Sequence, residues 1–121
     1  MTALTVLAVG AVGGAGAIAR FLLDGLVSGR AGRDLPYGTL AVNVTGSLAL
    51  GVVAGATLHG DGYRVVATGL LGAFTTFSTW AFESHRLAED GELGLGAANF
   101  AVSLAAGIVA VWAGRHLGAA L

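Results

Sequence analysis

Four long runs without a charged side chain are the feature that most restricts how this chain can fold. Its six basic and seven acidic residues fall outside residues 1–19, 35–60, 65–82 and 93–114. Each run is close to the ~20 residues that a helix rising about 1.5 Å per residue needs to cross a hydrocarbon core of about 30 Å. The sequence therefore predicts an all-α membrane protein, a single domain over residues 1–121 with four transmembrane helices.

The joints between the runs are short, so neighbouring helices are expected to run antiparallel, with both termini on one side. We place the spans at about 4–23, 37–58, 65–85 and 95–114. Pro36 suits the start of the second span, where its missing N–H is no loss. The first span has no basic segment before it and ends in Arg20, unlike a cleavable signal peptide, so we expect it to remain in the mature protein.

The composition excludes several classes of function. Only 11% of the residues are charged, whereas a soluble domain carries roughly 25%. A net charge of −1 leaves no basic surface for nucleic acid. The absence of cysteine removes thiolate nucleophiles and Cys-ligated metals. No hydrolase motif is present either, so we expect a protein that is not an enzyme.

Arginine counts on the two sides of the predicted bundle barely differ. The terminal side carries Arg64 and Arg115, and the opposite side carries Arg30, Arg33, Arg86 and, at its edge, Arg20. Since basic residues in short loops set the orientation of a membrane protein, this chain is expected to insert both ways. Four short helices also enclose little interior, so we predict an antiparallel dual-topology dimer of identical subunits.

Small and polar residues recur at every fourth position in three of the spans. The stripes are Thr39, Asn43, Ser47, Gly51 and Gly55 in the second span, Gly10 and Gly14 in the first, and Asn99, Ser103 and Gly107 in the fourth. Such faces mark seams where helices approach closely in lipid. The amide of Asn43 is costly in lipid, so it is expected to have a partner or a task.

The third span contains a run that favours a break in the helix near mid-membrane. Gly69 and Gly72 precede four hydroxyl residues, which are Thr75, Thr76, Ser78 and Thr79. A broken membrane helix frees backbone carbonyls, which commonly coordinate a cation. The alternative is a continuous helix whose hydroxyls bond back to the preceding turn.

The side chains within the spans suit an anion better than a cation. No Asp, Glu or Lys lies deep in any predicted span, which argues against proton-coupled exchange and against the small multidrug transporters. The polar and aromatic candidates are Asn43, Thr76, Ser78, Thr79, Ser103, Phe74, Phe77 and Trp80. Hydroxyls and amides donate hydrogen bonds, ring edges are electropositive, and Arg20 would attract anions at a mouth. We infer a passive pathway for a small anion or polar solute.

Three motifs occur in order along the chain. They are G-G-x-G-x-x-x-R from Gly13 to Arg20, G-T-L-x-x-N-x-x-G from Gly38 to Gly46, and T-T-F-S-T from Thr75 to Thr79. Together they resemble the Fluc/CrcB fluoride channel family over nearly the whole chain. The resemblance implies passive export of toxic fluoride across the cell inner membrane. It also implies a dual-topology dimer with two pores, embedded in membrane lipid.

The resemblance also assigns roles to particular residues. It implies a structural sodium ion at the dimer centre, held by the backbone carbonyls of Gly72 and Thr75. The implied fluoride pore contains Asn43, Phe77, position 80, Asn99 and Ser103, with Arg20 in the vestibule. Position 80 is Trp80, where the family has phenylalanine.

Two alternatives to a channel of identical subunits remain at the level of sequence. One is a small-solute transporter of the multidrug type. The other is a membrane subunit that conducts nothing alone and works only as a heterodimer with a paralogue.

Overall fold

The computed structural model describes residues 1–32 and 34–121, so Arg33, counted above among the basic residues, lies outside the described residues. The described part is helical and contains no strand. Its helices are α1 (Ala3–Ala31), α2 (Tyr37–Gly55), α3 (Gly60–Tyr63), a π-helical segment (Arg64–Leu71), α4 (Gly72–Phe74), α5 (Phe77–Glu89) and α6 (Leu93–Ala119). Within these residues four stretches are long and apolar enough to cross a membrane, with 60–89 as the third. The predicted all-α membrane fold is confirmed.

The first helix is longer than the span predicted from charge. It begins after Thr2, whose hydroxyl accepts the N–H of Thr5 at 3.1 Å. It continues past Asp24 to Ala31 and ends at Gly32, whose φ of 85° suits glycine. Charge spacing marks where hydrocarbon ends, whereas a helix can continue into the headgroup region.

Both termini lie at one end of the bundle, as predicted. Near the start of α1, the Thr5 hydroxyl donates to the Asp61 carboxylate at 2.8 Å, and Asp61 follows the end of α2. Near the end of α6, the backbone of Arg115 packs on Gly55, the last residue of α2. Helix α1 therefore runs opposite to α2 and α6, which run in the same direction.

Glycines form the seam between α2 and α6. A methyl group on Gly51 or Gly55 would collide with the α6 backbone, and one on Gly114 or Gly118 would collide with the α2 backbone. The C-terminal part of the α2 stripe, Gly51 and Gly55, therefore packs closely against the α6 backbone, as the four-residue spacing predicted.

A second seam joins α1 to the π-helical segment. A methyl group on Gly16 would meet the carbonyl of Leu70, and one on Gly13 would lie 3.3 Å from the carbonyl oxygen of Gly69. Gly10 and Gly14 take no part in this seam, because nothing else in the described single chain lies within 4 Å of a methyl group at either position. The packing face expected at these two glycines stays a prediction. The contact face of α1 is rotated by about one residue from the stripe that spacing alone suggested.

The interior of one chain is small. Val42 on α2 is the largest side chain that is fully buried among the described residues. Large apolar side chains cover the outside of α1 and α6 instead, including Leu7 and Phe21 on α1 and Ile108 and Trp112 on α6. Such an exterior suits lipid or a second copy rather than water.

The α2–α6 seam can be tested by filling it. Gly114→Ala should destabilise the protein by about 1–3 kcal/mol, because the methyl group forces two backbones apart, and the midpoint of thermal unfolding in detergent should fall. Gly25→Ala is the matched control, since nothing lies within 4 Å of that position. Equal midpoints for the two variants would contradict this account of the seam.

Candidate functional site

The third span is interrupted between α4 and α5. Thr75 and Thr76 are extended, with φ and ψ of −83° and 161° and of −146° and 124°. Thr76 then caps α5, since its hydroxyl accepts the N–H of Thr79 at 3.3 Å. The break predicted from the glycine and hydroxyl pattern is confirmed, and the continuous helix is excluded.

The side chain of Asn43, from α2, occupies the break. Its Oδ1 accepts the N–H of Thr76 at 2.8 Å, and its Nδ2 donates to the carbonyl of Thr76 at 2.8 Å. One amide therefore satisfies both backbone groups of one residue. Unpaired backbone groups in lipid cost several kcal/mol each, so this pair supports the extended conformation.

The same motif supplies the space into which the break packs. Gly46 lies one turn after Asn43, and a side chain there would collide with the methyl group of Thr75 and meet the ring of Phe74 at 3.1 Å. The N-x-x-G part of the second motif thus combines an amide that bonds to the break with a glycine on which the break rests.

The break releases two backbone carbonyls from helical bonding. In a continuous helix, Gly72 would accept from the N–H of Thr76, and Thr75 would accept from the N–H of Thr79. Here the first N–H bonds to Asn43 and the second to the Thr76 hydroxyl. No cluster of three His, Asp or Glu side chains occurs in the described ranges, so the donors available to a cation at the break are backbone oxygens.

An open groove of about 480 Å³ runs beside the break. It brings together seven of the predicted site residues, which are Asn43, Gly72, Thr75, Thr76, Phe77, Trp80 and Ser103. Phe77, the first helical residue of α5, and its cap Thr76 line this groove, so the positive end of a helix dipole lies at its wall. Such a helix end attracts anions.

Two aromatic rings, Phe77 and Trp80, line the groove, and a third, Phe100, packs on Trp80. Phe77 and Trp80 meet edge to face, with centroids 5.2 Å apart, and Trp80 stacks on Phe100 of α6 at 4.3 Å. Phe77 is 68% exposed and Trp80 only 9%. Sequence reasoning missed Phe100, whose only signal was its position next to Asn99.

A smaller cavity of about 200 Å³ lies on the other side of the break. Arg20 and Asp24 of α1 line it together with Thr39, Thr76 and Thr79. Thr76 lines both this cavity and the groove. Arg20 thus stands near the mouth of a polar recess that ends at the break.

Two other predicted residues lie farther from the groove. Asn99 lines a separate apolar cavity with Ser103, and its Nδ2 donates to the Ser84 hydroxyl at 2.8 Å. The Ser84 hydroxyl donates in turn to the carbonyl of Trp80 at 2.9 Å. Ser78 lines none of the three cavities formed by the described residues.

The carboxylate of Glu83, near the end of the predicted third span, bonds to the first turn of α2. This carboxylate accepts the Thr39 hydroxyl at 3.0 Å, and its second oxygen is buried with no partner among the described residues. Sequence reasoning placed Glu83 at the end of an apolar run and so missed it. Thr39, one turn before Asn43 on the polar stripe, was the available signal.

The chain is similar to a known family and to several named proteins. Residues 7–115 match the family model described as CrcB-like protein, Camphor Resistance (CrcB). A protein of Mycobacterium tuberculosis named fluoride-specific ion channel FluC 2 is 45% identical over 119 residues, covering 96% of this chain and 94% of the relative. A FluC 2 of Natronomonas pharaonis is 50% identical over the full length of both chains, and a FluC of Geobacter sulfurreducens is 44% identical over 91% and 93%.

Proposed function

This chain belongs to the CrcB-like family, and from that premise we propose that it is a fluoride channel of the cell inner membrane. It is a multi-pass membrane protein, and as a channel it is not an enzyme. The observation that carries the proposal is the break at Thr75 and Thr76, which turns the N-terminus of α5 and the ring of Phe77 toward an open groove. The relatives named as fluoride-specific channels support the choice of ion.

The groove has the groups that a dehydrated small anion needs. The hydroxyls of Thr76 and Ser103 in the groove, and that of Thr79 in the smaller cavity beyond the break, are hydrogen-bond donors. The edges of Phe77 and Trp80 carry the positive part of the aromatic quadrupole. Arg20 raises the local anion concentration at the mouth. These groups replace the hydration shell of fluoride.

The direction of flow follows from electrostatics alone. Hydrogen fluoride is a weak acid that enters uncharged, dissociates in the more alkaline cytoplasm and is trapped as the anion. A negative interior then drives the anion outward by about 2.3 kcal/mol per 100 mV. The multidrug-transporter alternative is set aside because of the family.

We further propose that two copies assemble in opposite orientations. The groove is open on one side, and Phe77 at its edge is 68% exposed in the single chain. A second copy would close this side and cover apolar surface. The number in the name FluC 2 of the M. tuberculosis relative keeps a heterodimer with a paralogue as the alternative assembly.

Sodium is proposed as the structural ion of this dimer. The residues fit it, since the carbonyls of Gly72 and Thr75 have lost their helical donors and lie beside the open groove. Hard cations prefer oxygen ligands, and freed carbonyls at a broken helix coordinate sodium. When bound, the ion would neutralise the exposed carbonyl end of α4 and join the two copies.

The proposed activity is tested in liposomes that contain only this chain. We expect rapid fluoride efflux, read with a fluoride electrode, and negligible chloride efflux, because donors and ring edges at this spacing favour a small anion. Comparable efflux of both ions would defeat the selectivity. Absence of fluoride efflux, restored by adding a paralogue, would instead establish the heterodimer.

The aromatic pair is tested by removing one ring edge at a time. Phe77→Ile should nearly abolish fluoride efflux, because an aliphatic side chain offers dispersion but no positive edge. Phe82→Ile on the same helix is the control, since that ring is exposed and lines neither the groove nor the two smaller cavities described above. Full activity of Phe77→Ile would refute the assignment of this ring to the pore.

Trp80→Phe should conduct at the wild-type rate or above. The substitution keeps an aryl edge and removes only bulk and the indole N–H. That N–H is buried and has no partner among the described residues. Loss of efflux from an intact dimer would show that the indole N–H donates to the ion or to the pore wall.

Dual topology is tested with single cysteines, since the chain has none of its own. Asp90→Cys and His59→Cys place a thiol at opposite ends of the bundle. Each should react with an impermeant reagent to about half, because arginine bias does not fix one orientation. Full labelling of one variant and none of the other would establish a single orientation.

A further inference from the structure

The side chains of Asn43 and Thr76 divert two backbone N–H groups away from two carbonyls. The N–H of Thr76 lies 2.8 Å from Asn43 Oδ1, and the N–H of Thr79 lies 3.3 Å from Thr76 Oγ1. In each case the diverted N–H is the natural helical partner of a carbonyl assigned to the cation, Gly72 and Thr75 respectively.

We propose that Asn43 and the Thr76 hydroxyl are positioning residues for the sodium site, because they keep the carbonyls of Gly72 and Thr75 unbonded. The proposal rests on the sodium ion proposed above. Asn43 thereby acts on the cation site as well as on the wall of the anion groove. One side chain links the two.

The positioning role depends on competition between two acceptors for each N–H group. Without an amide at position 43, the N–H of Thr76 loses its protein acceptor, and an unpaired backbone N–H competes for the nearest one. The nearest acceptor in helical geometry is the carbonyl of Gly72, one turn earlier. Closing that bond extends α4 and withdraws the carbonyl from the cation.

Gly46 favours the broken conformation of the third span over the continuous helix. It provides the surface on which the methyl group of Thr75 rests. Thr75 also donates both its N–H and its hydroxyl to the carbonyl of Leu71, each at 3.0 Å. The chain before the break is therefore fixed by hydrogen bonds. The backbone N–H groups of Thr76 and Thr79 are the ones for which a side-chain acceptor competes with a helical carbonyl.

The test measures thermal unfolding of the purified full-length protein against added NaCl, with protein prepared in potassium salts and ionic strength held constant with KCl. We expect sodium, and not potassium, to raise the wild-type midpoint. Asn43→Leu should need about tenfold more sodium for half of that rise, since an unmade buried hydrogen bond is worth roughly a factor of ten or more. Ser47→Ala, one turn along the same groove, should behave as wild type.

Conservative variants separate positioning from general damage. Asn43→Asp keeps an oxygen for the N–H of Thr76, so its sodium dependence should be retained even where fluoride efflux falls. Thr76→Val should lose sodium dependence and Thr76→Ser should keep it, which preserves the test if Asn43→Leu does not fold.

Two results would overturn the proposal. Wild-type sodium dependence in Asn43→Leu or Thr76→Val would show that these side chains do not hold the carbonyls. A wild-type protein that sodium does not stabilise would remove the sodium site and this inference with it. Fluoride conduction is decided separately by efflux from liposomes.

Discussion

Every structural feature of this protein depends on satisfying backbone polar groups where no water is present. A continuous helix meets that requirement by itself, so an interruption needs donors and acceptors from elsewhere. The amide of Asn43 supplies both to Thr76, at 2.8 Å each. Without this pair of hydrogen bonds, the extended conformation of the break would leave the N–H and the carbonyl of Thr76 without these partners. The N-terminus of α5 would then no longer be held beside the groove.

Close helix packing makes that pair geometrically possible. Glycines of α2 and α6 bring their backbones together at one end of the bundle, and Gly46 receives Thr75 at the break. Gly13 and Gly16 hold α1 against the π-helical segment that precedes it. Small residues thus fix the positions of three helices closely enough for one short side chain on α2 to reach the break.

The break places opposite electrostatic preferences side by side. The carbonyl end of α4 suits a cation, and the N-terminal end of α5 suits an anion, because the dipoles of the two half-helices point in the same direction along the chain. The groove beside them holds hydroxyls and ring edges but not the carboxylate of Glu83, which bonds instead to Thr39. A single interruption can therefore place a site that favours a bound cation next to a pathway that favours an anion.

The sequence by itself determined the four apolar helices, their alternating direction and the position of the break, because charge spacing and glycine–hydroxyl patterns act locally along the chain. It also predicted that Asn43 needs a partner, but not that the partner is the backbone of Thr76. Only the tertiary structure decided that Gly13 and Gly16 rather than Gly10 and Gly14 pack inward. It also decided that Phe100 stacks on Trp80 and that Glu83 turns into the bundle. These outcomes depend on the rotation of each helix about its axis, which is set by contacts between distant segments and leaves no periodic signal in the sequence.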